Sequence, residues 1–173
     1  MKTYIVLLRG INVSGKNKLP MAALREFLNK LDFQNVRTYI QSGNIILESN
    51  KSKLETCQII KDGIFSKFGY DVSVIVRTIS ELEKAIANNP YPTENHKIVS
   101  FTFLSVESKE TSIEVSITND DVYTIVDDMV YMYCPDGFGR TKLTNNLFEK
   151  KLNVRATSRN YRTTKKLLEM AKG

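Results

Sequence analysis

The sequence predicts an α+β fold of two duplicated ferredoxin-like halves, each a βαββαβ unit, with antiparallel or mixed sheets and helices on one face. Three observations carry that reading. Apolar stretches of strand character alternate with stretches of helical period in the order β-α-β-β-α-β-α, and the order occurs twice. A hairpin signal, Gln41-Ser42-Gly43-Asn44, separates two apolar runs. A short echo, Val76-Arg77-Thr78 against Val154-Arg155-Ala156-Thr157, precedes a helical stretch in each half. The halves are expected at 1–89 and 97–173, packed as one compact unit with a polar linker at 90–96.

In the first half, residues 3–9 are β-branched and apolar enough for a buried strand. Residues 10–19 form a loop, and Pro20 suits the first turn of the helix that follows. Met21, Leu24, Phe27, Leu28 and Leu31 give that helix one apolar stripe. Strands at 36–40 and 45–47 flank the hairpin turn. A helix is expected over 53–68, with Leu54, Cys57, Ile60, Ile64 and Phe68 along one side, and a strand over 72–76. Ser80 is expected to cap the next helix, which Asn88-Asn89-Pro90 stops.

In the second half, a strand is expected at 98–104, then a weak helix or irregular crossover at 107–116. Strands at 122–126 and 130–133 are joined by Asp127-Asp128-Met129. A helix at 144–152, a short edge strand at 153–156 and a final helix at 161–171 complete the order.

Composition narrows the class. Of 173 residues 42% are apolar and 25% charged, enough for a sizeable core. No run approaches the ~20 apolar residues of a membrane helix. The N-terminal run from Tyr4 to Leu8 is shorter than a signal core of ~7–15 residues. The two cysteines, Cys57 and Cys134, lack metal or redox spacing and read as small buried hydrophobes in a reducing, cytoplasmic compartment. The one histidine, His96, lies in the polar linker. Neither a cofactor nor a metal is expected.

The net charge of +6 is uneven. From Arg140 to Gly173 there are ten Lys and Arg against two acids, and no acid precedes Glu26. Concentrated like charge points to an anionic partner, against a plain solvated face.

Four segments carry candidate chemistry. The first, from Gly10 to Lys16, has the G-x-x-x-x-G-K spacing of a phosphate-binding P-loop after a strand. Asn17 stands where that motif needs a hydroxyl for Mg²⁺, the helix is expected only near Pro20, and the strand order is not parallel, so a looser anion-binding loop or a plain turn are the alternatives. Ser42 in the hairpin could be a nucleophile, but no base adjoins it in sequence. Pro135-Asp136-Gly137-Phe138-Gly139 is turn chemistry followed by Arg140 and Lys142. The stretch from Ser158 to Lys166 places Arg159 and Arg162 at an expected helix start, where an anion would offset the charge, whether external or an internal carboxylate such as Asp127, Asp128 or Asp136. Arg162, Lys165 and Lys166 share one face of that helix, and Thr164, Leu167, Leu168 and Ala171 the opposite one. Tyr4, Tyr39, Tyr131, Tyr133 and Phe138 could stack bases, although on a sheet such rings are commonly cross-strand pairs.

Taken together, residues 7–17, 39–44, 133–143 and 156–163 resemble, in order and spacing, the bacterial family called domain of unknown function 1697. Ser14 stands where the family usually has glycine, and Tyr161 where it usually has tryptophan. The resemblance implies a pair of ferredoxin-like subdomains and no reaction.

The leading expectation is a protein that binds a phosphate-bearing ligand, nucleic acid or nucleotide, in one basic cleft formed by all three basic segments. The expected ligand residues are Arg9, Gly10, Asn12, Gly15, Lys16, Asn17, Ser42, Asn44, Arg140, Lys142, Arg159, Asn160 and Arg162. Arg159 and Arg162 would clamp phosphate through the guanidinium fork. An enzyme acting on a phosphorylated or nucleotide substrate is the second expectation, with Asp136 among its few candidate acids. An interaction or assembly module without a small ligand is the third. No membrane association is expected.

Overall fold

The structure is a computed structural model and describes every residue except Thr118. The chain is an α+β protein with two four-stranded antiparallel sheets and five helices among the described residues. Two compact units are distinguished: Met1–Glu83 with Leu167–Gly173, and Lys84–Lys166. The division falls inside two helices and not at 90–96.

The first unit contains β1 (Lys2–Leu8), α1 (Met21–Asn29), β2 (Gln34–Tyr39), β3 (Asn44–Ser49), α2 (Lys53–Phe68) and β4 (Val74–Thr78), and α3 (Ile79–Ala87) begins in it. Its sheet runs in the order β2-β3-β1-β4. Val6 of β1 sits between Ile45 and Val76. Alternate residues Tyr4, Val6 and Leu8 with Ile45, Leu47, Val74 and Val76 form a core with Met21, Leu24 and Leu28 of α1 and Ile60 and Ile64 of α2. Burying each such aliphatic side chain contributes roughly 1.5–3 kcal/mol. The intervening residues Ile5, Leu7, Ile46 and Ile75 are buried as well, so β1 is buried on both faces from Tyr4 to Leu8, as that continuous apolar run requires. A capping box between Ser52 and Glu55 starts α2, and Gly69 ends it in the left-handed conformation.

The second unit contains β5 (Val99–Leu104), β6 (Val122–Val126), β7 (Met129–Tyr133), α4 (Asn145–Leu152) and β8 (Ala156–Asn160), and α5 (Tyr161–Lys172) begins in it. Its sheet runs β6-β7-β5-β8. Phe101 of β5 lies between Tyr131 and Arg159. Leu104, Ile125, Val130, Met132 and Ala156 pack on Phe148 of α4, and Ile113 and Val115 cover the same core from the crossover. The crossover is irregular, as the polar, β-branched composition of 107–116 allows.

Three sequence expectations need correction. Residues 153–155 are not strand: Asn153 is the left-handed C-cap of α4, and β8 begins at Ala156. Arg159 therefore belongs to a strand, one residue before the helix cap. Ser80 does not cap α3. Thr78 does: its Oγ1 accepts from Glu81 N at 3.2 Å, and Thr78 N donates back to Glu81 Oε2 at 2.7 Å. The helical spacing of Leu82, Ala85 and Ile86 fixed the helix without fixing which of two neighbouring hydroxyl residues starts it.

Candidate functional site

In the first unit the loop 10–18 is a small hairpin of its own. Val13 pairs with Lys16 across a turn at Ser14 and Gly15, both in the left-handed region. Asn12 fastens this hairpin to the body. Its Nδ2 donates to Leu19 O at 2.9 Å and to Gln41 O at 2.8 Å, and its Oδ1 accepts from Leu19 N at 2.8 Å. Asn17 Nδ2 donates to Gly10 O at 3.0 Å. Asn12 and Asn17 thus serve the loop's own architecture. The P-loop arrangement is not formed: the chain turns back at Gly15, and α1 starts only after Pro20. Lys16 and Gly15 are exposed, while Arg9 and Gly10 are half-buried.

The hairpin turn 40–43 adjoins this loop through the bond from Asn12 to Gln41. Asn44 is wholly buried, and its Nδ2 donates to Tyr39 O at 3.1 Å and to Ser42 Oγ at 2.8 Å. Ser42 is an acceptor within the turn. Gly43 has φ +75°, and a side-chain carbon there would come within 2.7 Å of Leu8 Cβ. Only glycine lets this turn lie against β1.

The second unit holds a cavity of about 350 Å³ lined by Ser100, Met132, Phe138, Thr141, Leu143, Thr144, Asn145, Ser158 and Asn160. The loop after β7, the start of α4 and the end of β8 meet here. Thr144 caps α4 by accepting from Leu147 N at 3.2 Å. Asn160 Oδ1 accepts from Thr163 N at 2.8 Å at the start of α5. Two helix starts, each carrying partial positive charge, therefore line one cavity. Its floor is a chain of hydroxyls: Thr102 Oγ1 lies 2.6 Å from Ser158 Oγ, which donates to Asn145 Oδ1 at 2.7 Å. Ser100 Oγ donates to Arg159 O at 3.1 Å.

Of the expected basic residues in this unit, Arg140, Lys142 and Arg162 are exposed on the loop and helix that supply cavity residues. Arg159 is different. It is buried on the sheet face opposite Ser158 and Asn160, and its Nη1 donates to Thr157 Oγ1 and to Ser158 O, both at 2.8 Å. Burial lowers its pKa to about 10, which leaves it protonated at neutral pH. A solvent-facing phosphate clamp at Arg159 is not what this side chain forms. Strand alternation is the reason: once Arg159 lies in β8, its neighbours face the cavity and it cannot.

Thr141 of the cavity lining also adjoins Cys134, which lies near Asp121. Cys134 is fully buried, and burial, with the nearby Asp121, pushes its thiol up to about 11, although Thr141 acts in the other direction. Asp121 is buried and its Oδ1 has no hydrogen-bond partner among the described residues. No group of three or more His, Cys, Asp or Glu able to hold a metal occurs among the described residues. Among the described residues no helix is long and apolar enough to cross a membrane.

Ser100, Thr141, Thr144, Asn145 and Ser158 were not among the expected site residues, and Phe138 was expected only as a ring that could stack a base. Thr144 was legible as a helix start. Ser100 was not, since a serine within an apolar strand carries no signal of what it faces.

The family model for proteins of unknown function, DUF1697, matches residues 1–131. The chain belongs to this family. The match spans the first sheet and much of the second, and of the cavity's lining it includes Ser100 alone. Among solved structures, a conserved bacterial protein of Streptococcus pneumoniae is similar in fold, with 24% sequence identity, a TM-score of 0.67 and coverage of 98% of both chains. Its likeness extends past the family match, over the C-terminal segments that build the cavity. Among curated proteins none matches the chain. Membership in the DUF1697 family carries no activity with it.

Proposed function

We propose that this DUF1697 protein binds a phosphate-bearing anion, a nucleotide or a nucleic-acid end, at the cavity of the second unit. The observation that carries the reading is the lining itself: two capped helix starts and the hydroxyls of Ser100, Thr141, Thr144 and Ser158 around about 350 Å³. Hydroxyls, amides and helix-start N–H groups are the chemistry that holds phosphate oxygens. Arg140, Lys142 and Arg162 add positive charge from the same loop and helix, and Phe138 offers a ring to a base. The site residues of this reading are therefore Arg140, Lys142, Asn160 and Arg162 together with the hydroxyl lining.

Two finer readings accompany it. The matching strand orders support a duplicated ferredoxin-like arrangement, the second copy having lost its first helix. The free thiols Cys57 and Cys134 support a reducing, cytoplasmic setting.

The test is a thermal-shift titration with inorganic phosphate, mononucleotides and short DNA and RNA at low and high salt. A ligand that binds the native state raises the melting temperature by mass action. A rise with a mononucleotide, reduced in the Arg140→Ala/Lys142→Ala/Arg162→Ala triple variant, supports the reading. A rise of equal size in that variant, or none with any phosphate compound, refutes it.

A further inference from the structure

The two sheets have four edge strands, and three of them are blunted. The strand β2 carries a bulge between Gln34 and Arg37, with Asn35 left-handed. In β4, Val74 O accepts from Cys57 Sγ at 3.1 Å. In β8, Ala156 N donates to Glu149 Oε1 at 3.0 Å. Such devices keep edges from pairing with other chains.

The fourth edge, β6, has none of them. Its sequence is Val122-Tyr123-Thr124-Ile125-Val126, with no charge and no proline, and all five residues pair in unbroken register with β7. The loop Asp127-Asp128 between Val126 and Met129 has two residues, so Val126 and Met129 are a hydrogen-bonded pair. Antiparallel pairs alternate, which turns Thr124 and Val122 toward β7 as well. The N–H and C=O groups of Tyr123 and Ile125 therefore point outward. Among the described residues no strand lies beyond them. Ile113 of the crossover packs over the sheet's core face, where the Tyr123 hydroxyl accepts from Ile113 N at 2.9 Å and donates to Ile113 O at 3.0 Å. Val122, at the start of β6, is 43% exposed.

We propose that the β6 edge is a docking site for an extended segment of a partner protein that adds a fifth strand and carries Lys or Arg at both of its ends. The charge follows from what flanks the strand: exposed Asp120 before it, and exposed Asp127 with half-buried Asp128 after it. Asp127 now faces Lys84 at 3.2 Å, a pair more than half exposed on both sides and so easily exchanged for a partner's cation. The same acids disfavour a second copy of this chain. Antiparallel pairing of β6 with itself sets Asp120 of one chain beside Asp127 and Asp128 of the other. Main-chain bonds give such a complex its affinity, and the end charges set its direction of preference. This site is independent of the anion cavity.

The probe is a synthetic five-residue Thr/Val strand with two lysines at each end, compared with the same strand ended by glutamates. Amide hydrogen exchange of the full chain is read residue by residue. The lysine-ended strand is expected to slow exchange at Tyr123 and Ile125 about tenfold and the glutamate-ended one to leave it unchanged. Val122→Lys, at an exposed position, is expected to abolish the effect, and Val122→Glu to retain it. Unchanged exchange at both amides with the lysine-ended strand overturns the proposal. So does protection of these amides without any peptide that grows with protein concentration, since the occupant is then a second copy.

Discussion

Arg77 and Arg159 occupy the same register position in the two sheets. Arg77 is paired with Ile5 of β1 and Arg159 with Phe101 of β5, each the second strand position from the end. Each stands one residue before the cap of a helix, Thr78 before α3 and Asn160 before α5. Both are buried, and each donates to the backbone beside it, Arg77 to Val76 O and Arg159 to Ser158 O. The sequence echo had set Arg77 against Arg155. The structure shifts that alignment by four residues, and Arg155 is exposed.

Because Arg159 is buried and bonded, Arg159→Ala should leave Thr157 Oγ1 and Ser158 O without a donor and open a cavity. A loss of about 2–4 kcal/mol is expected, measured by urea denaturation. Arg162→Ala, at an exposed position, should change stability by no more than about 0.5 kcal/mol while weakening retention on a phosphate-bearing column. A stable Arg159→Ala protein with lost retention would falsify the structural role of Arg159.

Gly43 separates two effects that other glycines confound. Gly43→Ala must both hold φ +75° and displace Leu8 Cβ from 2.7 Å, and is expected to cost about 2–4 kcal/mol. Gly15→Ala, with φ +76° and open space, should cost only about 1 kcal/mol. Equal melting temperatures for the two variants would contradict the close approach of the turn to β1.

Asn12 holds the loop 10–18 by two bonds to Leu19 and one to Gln41 of the turn 40–43. Asn12→Ala should destabilise by about 1–3 kcal/mol and speed amide exchange at Leu19, whose N–H then has lost its acceptor. Exchange at Leu19 unchanged from the parent chain would show that the loop is held by other means.

The thiol of Cys134 gives a pH dependence with a defined sign. Folding raises its pKa from 9.0 to about 11, so above pH 9 the unfolded chain loses the proton first. The unfolded state then binds fewer protons, and stability falls as pH rises through 9 to 11. Tyr131, raised to about 12 by burial, extends the fall at higher pH. The denaturation midpoint should drop between about pH 9 and pH 11, and Cys134→Ser should reduce that drop. In native protein at pH 8 a thiol reagent should react with half-buried Cys57 well before Cys134.

The sequence by itself determined most elements and their type. The continuous apolar run of β1, the stripe of α1, the Gln41–Asn44 turn and the bounds of α2 and β6 all follow from local chemistry, since period and turn residues act over a few positions. It also placed the positive charge at Arg140, Lys142 and Arg162, which are exposed. Tertiary structure decided the rest. Whether Arg159 is helix or strand depends on its pairing with Phe101, 58 positions away in the chain, and that pairing alone sets which face it takes. Asn12, Asn17, Ser42 and Asn44 looked like ligand contacts because polar loop residues serve either role. Asn12, Asn17 and Asn44 bond backbone groups, some of them distant in sequence, and Ser42 bonds Asn44, which only the folded chain shows. The cavity of Ser100, Thr144 and Ser158 joins three segments whose sequence carries no mark of their meeting, because hydroxyl residues become a site only when a sheet and two helix starts bring them together.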